Sequence, residues 1–300
     1  MEQLIPDLET VYGIKPRSII KSKYFYIISA NGRNYRLYPL SGEAEESESL
    51  VLINEKLYDA GAPVCPVVKT QDGEGTSVFE EERYMLALTP RGRMPDIQNP
   101  ADMLETAAAL GYFHRLLRGF DTGGGEIAAP YTKGLAALKN IKSIINRKNK
   151  QNETDKLFLQ NYSAVYSLAQ NAADTLSNCG LCTTYAYGAP KEENFIINAQ
   201  KAVITNWNSL NISHFLEDTA YFFKRYLKKA EPPRLTKDEL LAAYTGQNPL
   251  TAAEEDALSC IMRYPAKYIA VFKEYYGKHR PFAPLYVREK IEKELASLGL

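Results

Sequence analysis

Cysteine is scarce in this chain, 4 among 300 residues, and there are only one tryptophan and three histidines. Four cysteines do not make a disulfide framework in a protein of this size. An excess of charge of either sign is also missing, because 36 Lys+Arg balance 36 Asp+Glu. That removes the broad positive field with which a dedicated nucleic-acid binder holds phosphates, so no nucleic-acid partner is expected. No apolar run approaches the ~20 residues of a membrane helix, which argues against membrane insertion. The stretch Met1-Glu2-Gln3-Leu4-Ile5-Pro6-Asp7 has neither a basic start nor an apolar core, so no signal peptide is predicted. These absences together predict a protein made and folded in the cytoplasm.

What is present is ordinary for a globular protein: 45% hydrophobic and 24% charged residues. The length suits one large domain or two modest ones, and a chain this long buries about 75% of its unfolded surface without staples. Tyrosine is the exception, its 21 copies outnumbering the 18 glycines.

There is no internal repeat and no low-complexity linker. The first ninety residues read as strands around one helix. Ser18 to Ser22, Phe25 to Ser29 and Asn34 to Leu40 are β-branched or aromatic runs. Asn31-Gly32 between the last two is a strong hairpin signal, since both residues tolerate positive φ. Glu43, Glu45, Glu46 and Glu48 open a helix, where acidic side chains suit the dipole, and Leu50, Ile53, Leu57 and Tyr58 give it an apolar stripe. Val64 to Thr70 and Tyr84 to Thr89 read as two further runs around the turn Gln71–Gly75. Beyond Arg93 the pattern turns helical. Asn99-Pro100 is an N-cap followed by proline, Leu157 to Leu176 is a long helical stretch, and Thr236/Glu239 and Thr251/Glu254 are capping boxes. Thr183 to Tyr187, Phe195 to Ile197 and Ala202 to Trp207 are strand-like. The layout is a sheet-rich lobe, 1–90, then a helical lobe, 91–300, and a cleft between lobes is a common ligand site.

This order matches kinase-fold phosphotransferases, which use a base Asp on a loop, an Asn soon after, a metal-binding Asp after the next strand, and a small-lobe Lys. The chain resembles the CotS-type spore coat protein family, a branch of the aminoglycoside/choline kinase-like fold. The resemblance covers nearly the whole chain. It is carried by Tyr12-Gly13-Ile14, Tyr35-Arg36-Leu37-Tyr38, Leu110-Gly111-Tyr112-Phe113-His114, Tyr187 through Phe195, Val203 through Trp207, and Glu217-Asp218-Thr219-Ala220. In the tail it continues with Asn248-Pro249-Leu250-Thr251, Arg263-Tyr264-Pro265 and Glu274-Tyr275-Tyr276. It implies an α+β, two-lobed protein-kinase-like fold with a small antiparallel-sheet N-lobe and a larger helical C-lobe. It also implies other spore coat proteins as partners and a place in the spore coat.

The departures from the kinase-like pattern set the functional expectation. Relatives read His-Gly-Asp, four residues, then Asn; here the loop is Tyr187-Gly188-Ala189, then Asn194. Ala189 cannot act as a base. Asn206 replaces the metal-binding Asp, and Tyr38 falls at the small-lobe Lys. Base catalysis alone is typically worth about 10²–10⁴-fold, and the lost metal and cation stabilisation adds to that. Three degenerate positions on separate segments predict a pseudokinase with no catalytic residues, no metal ligands and no cofactor. Asn194 and Asn206 remain as vestigial cofactor-binding positions. Asp218, by the resemblance, sits behind the loop and bonds its backbone. The alternatives are an ATP-dependent small-molecule phosphotransferase using MgATP in a rearranged site, and a nucleotide-binding module without turnover.

Other features have plainer readings. Glu192 and Glu193 read as solvated loop carboxylates before a substitute base. Cys179-Gly180-Leu181-Cys182 reads as ordinary thiols, having no second pair nearby. His114 reads as a satisfied core histidine, while His214 and His279 have no partner that the sequence assigns. Gly123-Gly124-Gly125 reads as a flexible loop. The basic run Lys139, Lys142, Arg147, Lys148 and Lys150 reads as a solvated face, with a docking surface as the sharper option.

Overall fold

The computed structural model describes residues 4–206, 210–230, 232–277 and 284–300. They fall into two compact units. The first joins the N-terminal residues through Thr122 to Thr184–Pro249, and the second joins Gly123–Thr183 to Leu250–Leu300. Every residue of the candidate site belongs to the first unit.

That unit begins with α1 (Leu4–Tyr12) and a five-stranded sheet: β1 (Ser18–Lys21), β2 (Tyr26–Ala30), β3 (Arg33–Leu40), β4 (Ser77–Phe79) and β5 (Glu82–Thr89). The strand order is β1-β2-β3-β5-β4, with every pair antiparallel. Side chains alternate along β3. Tyr35 and Leu37 enter a core with Leu8, Tyr12, Ile28 and Leu86, and Arg36 and Tyr38 take the opposite face. Helix α2 (Ala44–Asp59) buries Ser47, Val51, Ile53, Asn54 and Leu57, and keeps Glu45, Glu46 and Glu48 exposed in or near its first turn.

Two expectations for this region need correction. The sheet has two helices beside it, not one; α1 was hidden because its Pro6 reads as a breaker, yet lies in the first turn, where no N–H is needed. Val64 to Thr70 is not a strand. It makes only single bridges, Val64 to Ile204 and Val67 to Ala87, because Pro63 and Pro66 interrupt the donors a ladder requires. The strand preceding β5 is Ser77–Phe79.

Asn31-Gly32 forms the expected hairpin turn, with φ of 50° and 72°. Glu80 and Glu81 form an equivalent turn between β4 and β5 at φ of 47° and 68°, where a Cβ costs energy. Glu80→Asn with Glu81→Gly is therefore expected to stabilise the chain by about 1 kcal/mol. An unchanged or lower urea midpoint would contradict this reading of the turn.

The remainder of the first unit is built on α3 (Pro100–Leu117), opened by the Asn99 side chain accepting from the Ala101 amide. Four short strands follow in the chain: β6 (Thr184–Ala186), β7 (Phe195–Asn198), β8 (Lys201–Ile204) and β9 (Asn211–Ser213). β7 pairs with β8, and β6 pairs with β9. Trp207, which ended the expected third run, lies outside the described residues. Helix α6 (Phe215–Lys229) starts at His214, whose Nδ1 accepts from the Leu216 amide, so this histidine is a cap. Helix α7 (Lys237–Thr245) carries the expected Thr236–Glu239 box and packs on α3 at Gly111, where a Cβ would meet the Tyr244 carbonyl.

The second unit contains α4 (Ala129–Asn146), α5 (Glu153–Asn178), α8 (Ala252–Arg263), α9 (Ala266–Gly277) and α10 (Pro284–Leu298) around Phe158, Tyr268 and Phe272. Thr251–Glu254 caps α8 as expected. The basic run is occupied locally. Lys142 lies over Tyr162 at 4.1 Å, Lys139 over Tyr166 at 5.6 Å, and Lys148 bonds Asp155 at 2.7 Å. Cys179 and Cys182 are free thiols. Among the described residues no helix is long and apolar enough to cross a membrane. His279 lies outside the described residues.

Candidate functional site

The loop between β6 and β7 is held from behind. Asp218, on the first turn of α6, is buried and accepts backbone N–H bonds from Tyr187 (2.5 Å), Gly188 (2.9 Å) and Ala189 (3.0 Å). Its Oδ2 also meets His114 Nε2 at 3.2 Å. With that proton directed at the carboxyl, His114 Nδ1 accepts from the Tyr244 hydroxyl at 2.9 Å. Asn248 Nδ2 donates to that hydroxyl at 2.8 Å, and Arg118 Nε donates to Asn248 Oδ1 at 2.9 Å. His114 is thus a satisfied core histidine in a relay that ends on the loop.

The relay fixes an unfavourable backbone. Ala189, at the base position, sits at φ 67°, next to Gly188 at φ 80°. An L-residue there costs roughly 1–2 kcal/mol, and such strain collects at functional loops. Beside it lies a cavity of about 510 Å³ lined by Gly188, Ala189, Asn211, Ser213, Glu217 and Tyr221, among others. Ala189 therefore presents only a methyl group beside this cavity. Glu217, to which the sequence assigned no role, is engaged with the Ser213 hydroxyl.

Glu192 is not a solvated carboxylate. It accepts from Arg225 Nε at 2.6 Å and Nη2 at 3.0 Å, and from Lys229 at 2.5 Å. Partial burial alone would raise its pKa, but the bonds from Arg225 and Lys229 outweigh this and bring it down to about 2. A carboxylate so held is a poor base. Its stabilisation is complete above the ordinary value of 4.5 and is lost as pH falls from there toward 2. Allowing for solvent screening, Glu192→Gln is expected to cost about 1 kcal/mol at neutral pH and nothing near pH 2. Equal loss at both pH values would refute the pairing. Glu193 is exposed, with Arg225 Nη2 at 3.4 Å.

Across the loop, Thr205 Oγ1 donates to the Asn194 carbonyl at 3.0 Å and accepts from Arg36 Nη1 at 2.5 Å. The Arg36 guanidinium also stacks on Phe25 at 4.6 Å, and Phe25 lies 5.5 Å from the Tyr38 ring. Tyr38 is fully buried and, among the described residues, its hydroxyl has no partner in good hydrogen-bond geometry, although Arg36 lies close. Burial holds this phenol protonated, well above the usual tyrosine range, although nearby Arg36 opposes the shift. Burial likewise pushes the adjacent Cys65 thiol up to about 12.

Position 38 therefore holds a core side chain, with a positive charge nearby. Arg36 supplies a guanidinium two residues earlier on the same face of β3. The signal was the strand's period of two.

A metal-bound nucleotide requires oxygen ligands, chiefly carboxylates. Asn194 Oδ1 already accepts from the Lys191 amide at 2.8 Å. Asn206 Oδ1 is buried and, among the described residues, unpartnered, but it is neutral. Among the described residues no three His, Cys, Asp or Glu side chains gather to hold a metal. Neither Asn194 nor Asn206 offers a carboxylate to a cation.

The sequence matches the family described as "Spore coat putative kinase YutH" over residues 5–298. The chain belongs to this spore coat kinase-like family. No curated protein matches the sequence significantly. Among solved structures, it is similar to an aminoglycoside phosphotransferase from Alicyclobacillus acidocaldarius, with TM-score 0.79, 14% identity, and coverage of 95% of this chain and 90% of the other. A spectinomycin phosphotransferase in complex with ADP and spectinomycin gives TM-score 0.65 and 14% identity over 100% and 98% of the two chains. A choline/ethanolamine kinase family protein from Mesorhizobium loti gives 0.58 and 13% over 100% and 95%. Identities this low establish the kinase-like fold alone. With the family they make this a kinase-like spore coat protein.

Proposed function

We propose that the protein serves the endospore coat as a non-catalytic structural or assembly component, made in the cytoplasm and docked onto other coat proteins. The observation that carries this reading is the base position. The loop amides are held by Asp218 in a strained, defined conformation, while the residue they present is Ala189. A frame kept rigid around a methyl group serves recognition or shape. Buried Tyr38 and paired Glu192 support the same reading, since neither offers a replacement cation or base.

Complementation tests it. In a strain lacking this protein, Asn194→Ala and Asn206→Ala variants are expected to restore the coat-protein profile of purified spores as well as the unaltered chain does. Loss of the profile with either variant, at normal protein levels, would contradict a non-catalytic role.

One observation favours a second reading, a nucleotide-binding module without turnover. Arg36 brings a cation to Thr205, and the next residue, Asn206, carries a buried amide oxygen that is unpartnered among the described residues. Binding of that kind would be independent of metal.

A further inference from the structure

Three arginines converge at one end of the five-stranded sheet. Arg17 precedes β1, Arg33 opens β3, and Arg91 follows β5. The antiparallel register brings these segments together, pairing Ser18 with Ser29, Ala30 with Arg33, and Asn34 with Thr89. The three side chains line a cavity of about 140 Å³ with Ser29, Asn31 and Asn34. No residue lining it is acidic. All three arginines are exposed, and none forms an ion pair among the described residues.

The backbone beneath them is firmly set. The Arg17 amide donates to the Ser29 carbonyl at 2.8 Å, and Arg91 Nη2 donates to the Gly32 carbonyl at 2.5 Å. The Asn31-Gly32 turn fixes the approach of Arg33, and the Ser29 hydroxyl donates to Asn34 Oδ1 at 3.1 Å. This leaves the Arg17 and Arg33 guanidinium groups as the adaptable part of a rigid rim, with Arg91 anchored on the Gly32 carbonyl.

Arginine is the cation whose planar fork matches oxyanions with paired hydrogen bonds, and all three cations here are arginine, although lysine is the commoner cation of the chain. The space is far below the roughly 300–1,000 Å³ of whole-ligand pockets, and suits a single tetrahedral group. We propose that this sheet end binds the phosphoryl group of a phosphorylated ligand, without a metal. A phosphate monoester carries about −1.5 to −2 charge at neutral pH and three acceptor oxygens, which three guanidinium groups complement. The proposal does not rest on the reading of the cleft, since it shares no residue with it.

The test is calorimetric titration of the full chain in phosphate-free buffer with inorganic phosphate, phosphoserine and a phosphoserine peptide. Glutamate serves as a carboxylate control. Saturable binding of one phosphate per chain is expected, unchanged by EDTA and weaker by about tenfold or more in R33Q/R91Q. The arginines are exposed and the variant loses one surface hydrogen bond, Arg91 to Gly32, so its melting temperature should fall by no more than about 2–4 °C. Tighter binding of the peptide than of phosphoserine would assign the group to a protein partner; equal binding would assign it to a free small molecule. Absence of saturable phosphate binding, undiminished affinity in R33Q/R91Q, or equal binding of glutamate would each overturn the proposal.

Discussion

Replacing Asp218 with alanine is expected to destabilise the protein by about 3–5 kcal/mol, a large share of a typical domain's total. Three loop amides and His114 end on this one buried carboxyl. Each buried donor left without a partner costs about 1–3 kcal/mol. The removed carboxyl also releases Ala189 from its left-handed conformation, which returns part of the loss. The check is urea unfolding of D218A beside T245A, which removes only hydroxyl bonds to the Leu241 and Ala242 carbonyls. A loss under about 1 kcal/mol for D218A would mean that the loop is not held by this residue.

Tyr38→Lys is expected to cost about 3–4 kcal/mol at neutral pH, even though lysine is what a kinase-like small lobe would place there. Position 38 is fully buried, and the inward residues of α2 include Ser47, Val51 and Asn54, with no carboxylate to pair with an ammonium. Arg36 adds a like charge nearby. The buried lysine's pKa would fall below its unfolded value, so the unfolded chain binds more protons and stability should recover as pH rises. Tyr38→Phe, which removes only an unpartnered hydroxyl, should be neutral or slightly stabilising. A Tyr38→Lys protein as stable as its parent would show that a counter-charge reaches this position after all. Position 38 thus has no ammonium, and the buried residues of α2 include no carboxylate that would pair with one.

Much of this was legible in the chain where the determining chemistry is local. Asn31-Gly32, Asn99-Pro100 and the boxes at Thr236 and Thr251 each specify their own turn or cap, and each appears as written. That Ala189 carries no base follows from its identity alone. What could not be read depends on distant partners. Glu192 looks solvated until Arg225, 33 residues later, closes on it. β9 is three residues long and exists only as the partner of β6. Arg36 was overlooked because the family pattern draws attention to Tyr38, although alternation places both side chains on one face. Val64 to Thr70 misled because a β-branched run was weighed more heavily than the prolines around it.

The central claim is that the cleft keeps a kinase frame while lacking what grips a metal-bound triphosphate. The most direct measurement is the melting temperature of the purified chain with ATP, with and without Mg²⁺, alongside ADP release. A ligand that prefers the native state raises the melting temperature. The account predicts no magnesium-dependent rise and no ADP formed, with a magnesium-dependent rise appearing once Asp replaces Ala189 and Asn206, since aspartate tolerates the left-handed backbone at 189. A magnesium-dependent rise accompanied by ADP release from the unaltered protein would contradict it.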